Sequence, residues 1–455
     1  NPPPQGVSVR VRPWAPNSEN GRLKATVFVL HYKKYNLHFI IMLGSGIRLP
    51  AGNLLNFIST DFIMKKQFSA LRSLLQRFFL YLIMACLLLA NAGCGSPSLH
   101  VANLSVQGKH NGLMLDNARR YYSVAVIKQY IDTLAENGGG FLHLHFSDHE
   151  NYGLESELLN QKAVDADVSD GLYRNPQTGK LFLSDAQLGE IVAYAHQKKI
   201  ELIPELGSPN HMNGIFTLLT HHRGADYVRS IKSKVVDDEI NITNPQSIAL
   251  VESLMAEVMA KFPHSKRFHI GADEFGYSVE SHPEFVAYVN RLADFLDRKG
   301  WKTQMWNDGL IKESLTDLNR QIEVTYWSYD GNAQDKAERN KRRSLRASMP
   351  ELIEAGFKVW NYNSYYLYFI PGPNVGSSHD INYAIRDIER HWHLGVWDDA
   401  NSKNALPQSQ QQAIGGAALA VWGEHSASLS GQDVFIHTKK LLQAVLAKAN
   451  RHHRD

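Results

Sequence analysis

Phe268-His269-Ile270-Gly271-Ala272-Asp273-Glu274-Phe275-Gly276-Tyr277 is a short apolar run that ends on two adjacent carboxylates. Its aromatic and β-branched residues read as a strand and its glycines as punctuation. Neighbouring acids repel when both are ionised, so a fold keeps such a pair near an apolar floor where one must hold a proton at neutral pH. Side chains alternate across a strand, so Asp273 and Glu274 reach one side together only if the strand ends or kinks at about Ala272. Alanine there costs more than glycine if its φ is positive.

Similar short runs occur at Leu113 to Leu115, Phe141 to Phe146, Ile200 to Pro204, Thr303 to Trp306, Ile322 to Trp327, Lys358 to Tyr362 and Ala417 to Trp422. Between most of them lie patches with helical spacing. Val124-Ile127-Ile131-Leu134, Leu188-Ile191-Val192-Tyr194-Ala195 and Val251-Leu254-Met255-Val258-Met259 each keep one apolar face. Ser123, Ser184 and Asn244 stand where they cap the orphan amides of a first turn. Strict alternation of strand and helix implies a parallel sheet, and eight repeats imply closure. The fold class is therefore α/β, a (β/α)8 (TIM) barrel forming a single catalytic domain over 112–455. Asn151 to Lys180 interrupts the pattern as a long loop after the second strand.

In such a barrel the C-terminal strand ends share one mouth. Here they carry Asp116 and Arg119; Asp148, His149 and Glu150; Glu205 and His211; Asp273 and Glu274; Trp306 and Asp308; Trp327 and Asp330; Tyr362, Tyr365, Tyr366 and Tyr368; Trp422 and Glu424. Aromatic faces pack on the apolar side of sugar rings while carboxylates and Arg take hydroxyls, so carbohydrate is the natural ligand. Trp301, Trp360, Trp392 and Trp397 read as core packing.

Outside the barrel, residues 1–63 begin without Met and read as a disordered upstream extension. From Met64, Lys65, Lys66, Arg72 and Arg77 precede an apolar run from Phe78 to Ala90, the pattern of a secretory signal over 64–94. Its end, Asn91-Ala92-Gly93-Cys94, resembles the lipobox of bacterial lipoproteins, with Asn91 in place of an apolar residue. Cys94 would then be lipidated, giving a secreted or outer-surface bacterial lipoprotein with membrane attachment. The other cysteine, Cys86, lies within the signal, and 95–111 reads as a linker. The formal net charge of +3 comes with interspersed acids and bases, so no basic stripe points to nucleic acid. No cofactor and no metal are expected, because the acids do not come with a His/Cys ligand set, and a monomer is expected.

The runs Gly112 to Arg119, His143 to Tyr152, His269 to Tyr277, Met305 to Gly309 and Trp422-Gly423-Glu424 resemble glycoside hydrolase family 20 in order and with few gaps. The resemblance implies retaining removal of β-linked N-acetylhexosamines and, through its secreted biofilm-acting members, poly-β-1,6-N-acetylglucosamine as substrate. By this resemblance Glu274 is the general acid and base, Asp273 orients the acetamide, and Tyr368 bonds the acetamide oxygen. Trp327, Trp422 and Trp306 wall the sugar pocket, and Arg119, Asp335 and Glu424 bind ring hydroxyls. His211 links Asp148 to Glu274, while Tyr277 and the 151–180 loop meet the next sugar.

The chemistry agrees with the residues. A usual retaining pair flanks the scissile bond about 5 Å apart, which adjacent residues do not easily achieve. The substrate's own acetamide can replace the protein nucleophile. Gly207, Ala272, Asn210 and His149 depart from the family pattern. Two further readings stay open: an exo-hexosaminidase on β-1,4 chitin or peptidoglycan fragments, and a non-catalytic glycan-binding lipoprotein on a degenerate barrel.

Overall fold

The computed structural model describes residues 26–32, 37–43, 111–276, 282–372 and 378–451. The chain divides into two units, 1–103 and 104–455. In the first, Thr26–Tyr32 and Leu37–Leu43 form an antiparallel strand pair. Both runs are rich in β-branched, aromatic and aliphatic residues, the composition of strands, and the rest of 1–63 lies outside the described residues. The signal segment, Cys94 and all of the linker before Asn111 lie outside the described residues.

The second unit is a closed parallel barrel. Its strands are β1 (Gly112–Asp116), β2 (Phe141–His145), β3 (Glu201–Ser208), β4 (Arg267–Gly271), β5 (Lys302–Trp306), β6 (Glu323–Tyr326), β7 (Lys358–Asn361) and β8 (Ile414–Val421). Each pairs with its sequence neighbour, and β8 pairs with both β7 and β1. The register sets Leu113 against Leu142 and Leu142 against Leu202, continuing an apolar row. These are the runs the sequence marks, with small differences at their ends.

Helices cover the outside where their caps predict. Ser123 accepts from Val126 N, Ser184 forms a reciprocal capping box with Gln187, and Asn244 accepts from Gln246 N with Pro245 at the helix start. A cap of this kind contributes about 1 kcal/mol. The first helix, Val124–Glu136, buries Ile127, Ile131 and Leu134 fully. Truncating Leu134 to Ala would cost about 2–5 kcal/mol through lost transfer energy and the cavity left behind.

The barrel interior is a separate cluster. Met114, Phe141, Ile203, Trp306, Trp360, Tyr362, Ala418 and Ala420 fill it, and Trp327, Tyr368 and Trp422 pack against it from the mouth. The 151–180 stretch is more than a loop. It leads into a three-stranded antiparallel sheet of Asp167–Ser169, Leu172–Arg174 and Leu181–Phe182, in which Tyr173 faces Phe182.

Candidate active site

Strand β4 ends at Gly271 because its backbone leaves the extended region there. Gly271, Ala272 and Glu274 have φ of 73°, 66° and 52°. The break puts the side chains of Asp273 and Glu274 on one cavity, and the non-glycine residues store strain of a kind that clusters at functional sites. Ala272 N–H donates to Ser208 O at 2.9 Å, which fixes the turn to β3. A Cβ on Gly271 would lie 2.9 Å from Gly207 Cα, so the bareness of Gly271 permits this approach.

Ten residues from separate strand ends line the cavity: Arg119, Asp148, His211, Asp273, Glu274, Trp306, Trp327, Tyr368, Trp422 and Glu424. It holds about 560 Å³ of space and opens to solvent. On one side Arg119 bridges Asp116 at 3.1 Å, Asp148 at 2.9 Å and Glu150 at 3.3 Å, and lies over the Trp422 ring. Burial opposes its charge, but Asp148 and Asp116 outweigh that and hold the guanidinium above its ordinary range. Asp116 also accepts from Gly423 N at 2.9 Å, tying the start of the barrel to its end.

The aromatic wall is continuous. Trp327 and Tyr368 are nearly parallel, 10° apart with centroids at 6.0 Å, and Tyr368 meets Trp422 edge-on at 5.3 Å. Trp306 lies beneath as a floor, only 1% exposed, with its indole N–H on Glu205 at 2.8 Å. Burial, with Asp273 and Asp308 adding, pushes the Tyr368 hydroxyl well above the usual phenol range, so it remains a donor. Burial also raises the Glu424 carboxyl, against the pull of Arg119.

His211, with φ of 61°, stands among three acids. Its Nδ1 is 3.4 Å from Asp148, and its Nε2 is 3.2 Å from Glu274 and 3.5 Å from Asp273. Burial disfavours its charge, yet Asp273, Asp148 and Glu274 together raise its proton affinity well above that of free imidazole. Asp148 is buried too, but His145 and His211 hold it far below the usual carboxylate range.

The two adjacent acids differ. Burial pushes Asp273 up to about 7, Asp308 and Glu274 adding and His211 opposing. The hydrogen bond from His211 lowers Glu274 below the ordinary value in spite of burial. Exposure accounts for the order: the Asp273 side chain keeps 20% of its surface and Glu274 keeps 40%. The pair thus has unequal proton affinities, with Asp273 above Glu274.

Asp308 supports the pair in a way the sequence did not reveal. One oxygen accepts from Glu274 N at 3.0 Å and the other from Trp327 Nε1 at 3.1 Å, coupling the acid to the aromatic wall. The Trp-Asn-Asp spacing at the end of β5 was its only trace. Asp335 stands apart. It caps the helix Lys336–Leu345 by accepting from Glu338 N at 2.8 Å and is not among the cavity-lining residues. Tyr277 lies outside the described residues.

Beneath the floor is a polar layer of His143, Glu205 and His269, close enough together for a cation among the described residues. Acid and histidines assemble here from three strands, and Glu205 and His269 are already engaged. Both Glu205 oxygens accept, from His145 at 2.6 Å and Trp306 at 2.8 Å, and His269 Nδ1 takes the Gly271 amide at 3.1 Å.

An acid pair with unequal proton affinities, a histidine between them and an indole-lined hollow is equipment for acid–base cleavage of a sugar bond. The model of the catalytic domain of glycosyl hydrolase family 20 matches residues 109–437.

The chain belongs to glycosyl hydrolase family 20.

It is therefore a glycoside hydrolase of the hexosaminidase family. Among solved structures, that of dispersin B is 54% identical, covers 75% of this chain and 99% of its own, and superposes with a TM-score of 0.73. A lacto-N-biosidase from Bifidobacterium bifidum is 23% identical over 257 residues, 52% of this chain and 20% of that protein. A beta-hexosaminidase from Vibrio furnissii is 28% identical over 184 residues, 36% of this chain and 29% of that protein. The chain thus spans less than a third of either curated relative.

Proposed function

We propose that this family 20 enzyme is a secreted or surface-anchored β-N-acetylglucosaminidase that hydrolyses poly-β-1,6-N-acetylglucosamine with retention, using the substrate's acetamide as nucleophile. One observation carries the reading: two adjacent carboxyls stand within reach of one His211 nitrogen, inside a hollow bounded by Trp327, Tyr368 and Trp422. The likeness to dispersin B over nearly all of that chain supports it.

When the sugar enters, its acetamide N–H donates to Asp273 and favours the ionised form, while displaced water leaves Glu274 less solvated. Both changes move the proton from Asp273 to Glu274, with His211 Nε2 near each. Glu274 then protonates the glycosidic oxygen as the acetamide oxygen attacks the anomeric carbon, and the aglycone leaves as an alcohol. Asp273 balances the charge of the oxazolinium, and Tyr368 donates to its oxygen. Glu274, now ionised, takes a proton from water, which opens the ring with net retention. Holding the internal nucleophile in place accounts for on the order of 7 kcal/mol of the barrier. Arg119 and Glu424 take ring hydroxyls, the Arg fork suiting a vicinal pair. Attachment through lipidated Cys94 belongs to the same proposal, and mass spectrometry of the mature N-terminus tests it.

The test of substrate is time-resolved product analysis with defined β-1,6 and β-1,4 N-acetylglucosamine oligomers. Faster turnover of the β-1,6 series is expected; preferential β-1,4 cleavage, or none of either, overturns the assignment.

A further inference from the structure

The proton-carrying residues do not end at Asp148. The His145 ring lies between two carboxylates, Nδ1 at 2.6 Å from Glu205 and Nε2 at 2.7 Å from Asp148. Glu205 and Asp148 are both held below the ordinary carboxylate range, and between two ionised carboxylates both ring nitrogens must donate, which makes the ring an imidazolium. Continued through His211, the chain reads Glu205, His145, Asp148, His211, Glu274, alternating in sign, with its last two steps at 3.4 and 3.2 Å. The inner end is locked. His145 and Glu205 are register partners on β2 and β3, and Glu205 is further faced by His143 and His269, both fully buried, and by the Trp306 indole.

Resting on the family 20 reading above, we propose that Glu205 and His145 are positioning residues for catalysis: a barrel-core carboxylate whose charge, relayed through one ring, anchors Asp148 and so holds His211 against the acid pair. Arg119 from β1, His145 from β2 and His211 after β3 all face Asp148, so His145 is one of three cations that hold it ionised. Asp116 also acts on His145 from β1. Burial works against the His145 charge, but Glu205 and Asp148 prevail and raise its proton affinity well above the ordinary value. His143, also beside Glu205, is the contrast: burial wins and takes it down to about 4.

The experiment measures kcat and KM against pH for Glu205→Gln and His145→Gln, using an N-acetyl-β-glucosaminide with an unactivated alcohol as aglycone. Each variant is expected to lose about tenfold or more in kcat with KM within about twofold. In Glu205→Gln the acid limb of kcat/KM should move up by about half a pH unit or more, because His145 gives up its proton and Asp148 protonates sooner. The Asp148→Asn/Glu205→Gln double variant should be no slower than Asp148→Asn, since both act through one carboxylate. Equal losses at every pH, or losses that multiply in the double variant, overturn the proposal. Histidine nitrogen NMR of the wild-type protein at pH 7 keeps the test independent of variant folding: two protonated nitrogens on His145 support the relay and a neutral ring overturns it. Failure of wild-type enzyme to cleave the substrate would instead sink the functional reading.

Discussion

Asp273→Asn should make the protein more stable and nearly inactive at the same time. In the folded state burial lifts this carboxyl from 3.8 to about 7. Between those values the native state holds a proton that the unfolded chain releases, so stability falls as pH rises through the window. Asparagine does not titrate, so the substitution removes that penalty above about pH 7 and changes little below about pH 4. The interval, at about 1.4 kcal/mol per pH unit, sets a ceiling of about 4 kcal/mol. Part of it is offset, because ionised Asp273 pairs with His211 at 3.5 Å and that attraction disappears. A gain of about 2 kcal/mol at pH 8 is expected, roughly 3 °C in Tm for a domain of this size. Turnover of N-acetylglucosaminides should fall about a hundredfold or more, as when a preorganised charge partner is lost. The assay is thermal or urea unfolding of both proteins at pH 4 and pH 8, beside kcat. A variant less stable than wild type at pH 8, or a difference equal at both pH values, refutes the reasoning.

Glu274→Gln should lower kcat about a hundredfold or more on unactivated aglycones and much less on a nitrophenyl leaving group; equal losses in steady-state assays would contradict an acid role. Tyr368→Phe removes a donor beside the acetamide oxygen and should reduce kcat by about tenfold to a hundredfold with little change in Tm. Arg119→Ala leaves Asp116 and Asp148 buried with one partner fewer, and because each keeps other donors the cost should be about 2 kcal/mol, below the usual ~3–5 for breaking a buried pair. Substrate-saturation curves should also show a raised KM. Dialysis against EDTA should leave the rate unchanged, since both Glu205 oxygens and His269 Nδ1 already accept hydrogen bonds.

The frame of the molecule was legible because its signals are local. Ser123, Ser184 and Asn244 announce helix starts through their own hydrogen bonds, and the apolar runs mark each strand. The bend at Ala272 could be deduced, since period-two alternation forbids Asp273 and Glu274 from one face of a regular strand. What escaped depends on registers between strands. His143 and His145 are two apart on β2, but only the pairing of His145 with Glu205 reveals a polar layer inside the barrel. Two histidines in a strand buried on both faces were the available hint. Asp335 shows the converse: the sequence names an acid but not the helix amide it serves. The order of the two proton affinities also follows from enclosure and the position of His211, which adjacency in sequence does not encode.

In the proposed mechanism the substrate's amide performs the displacement. Proton NMR of the first-formed anomer, run side by side on an N-acetyl-β-glucosaminide and the matching β-glucoside with a 2-hydroxyl, tests it most directly. β-Anomer from the amide-bearing sugar and no turnover of the glucoside are expected. Efficient cleavage of the glucoside, or inversion at the anomeric carbon, would contradict it.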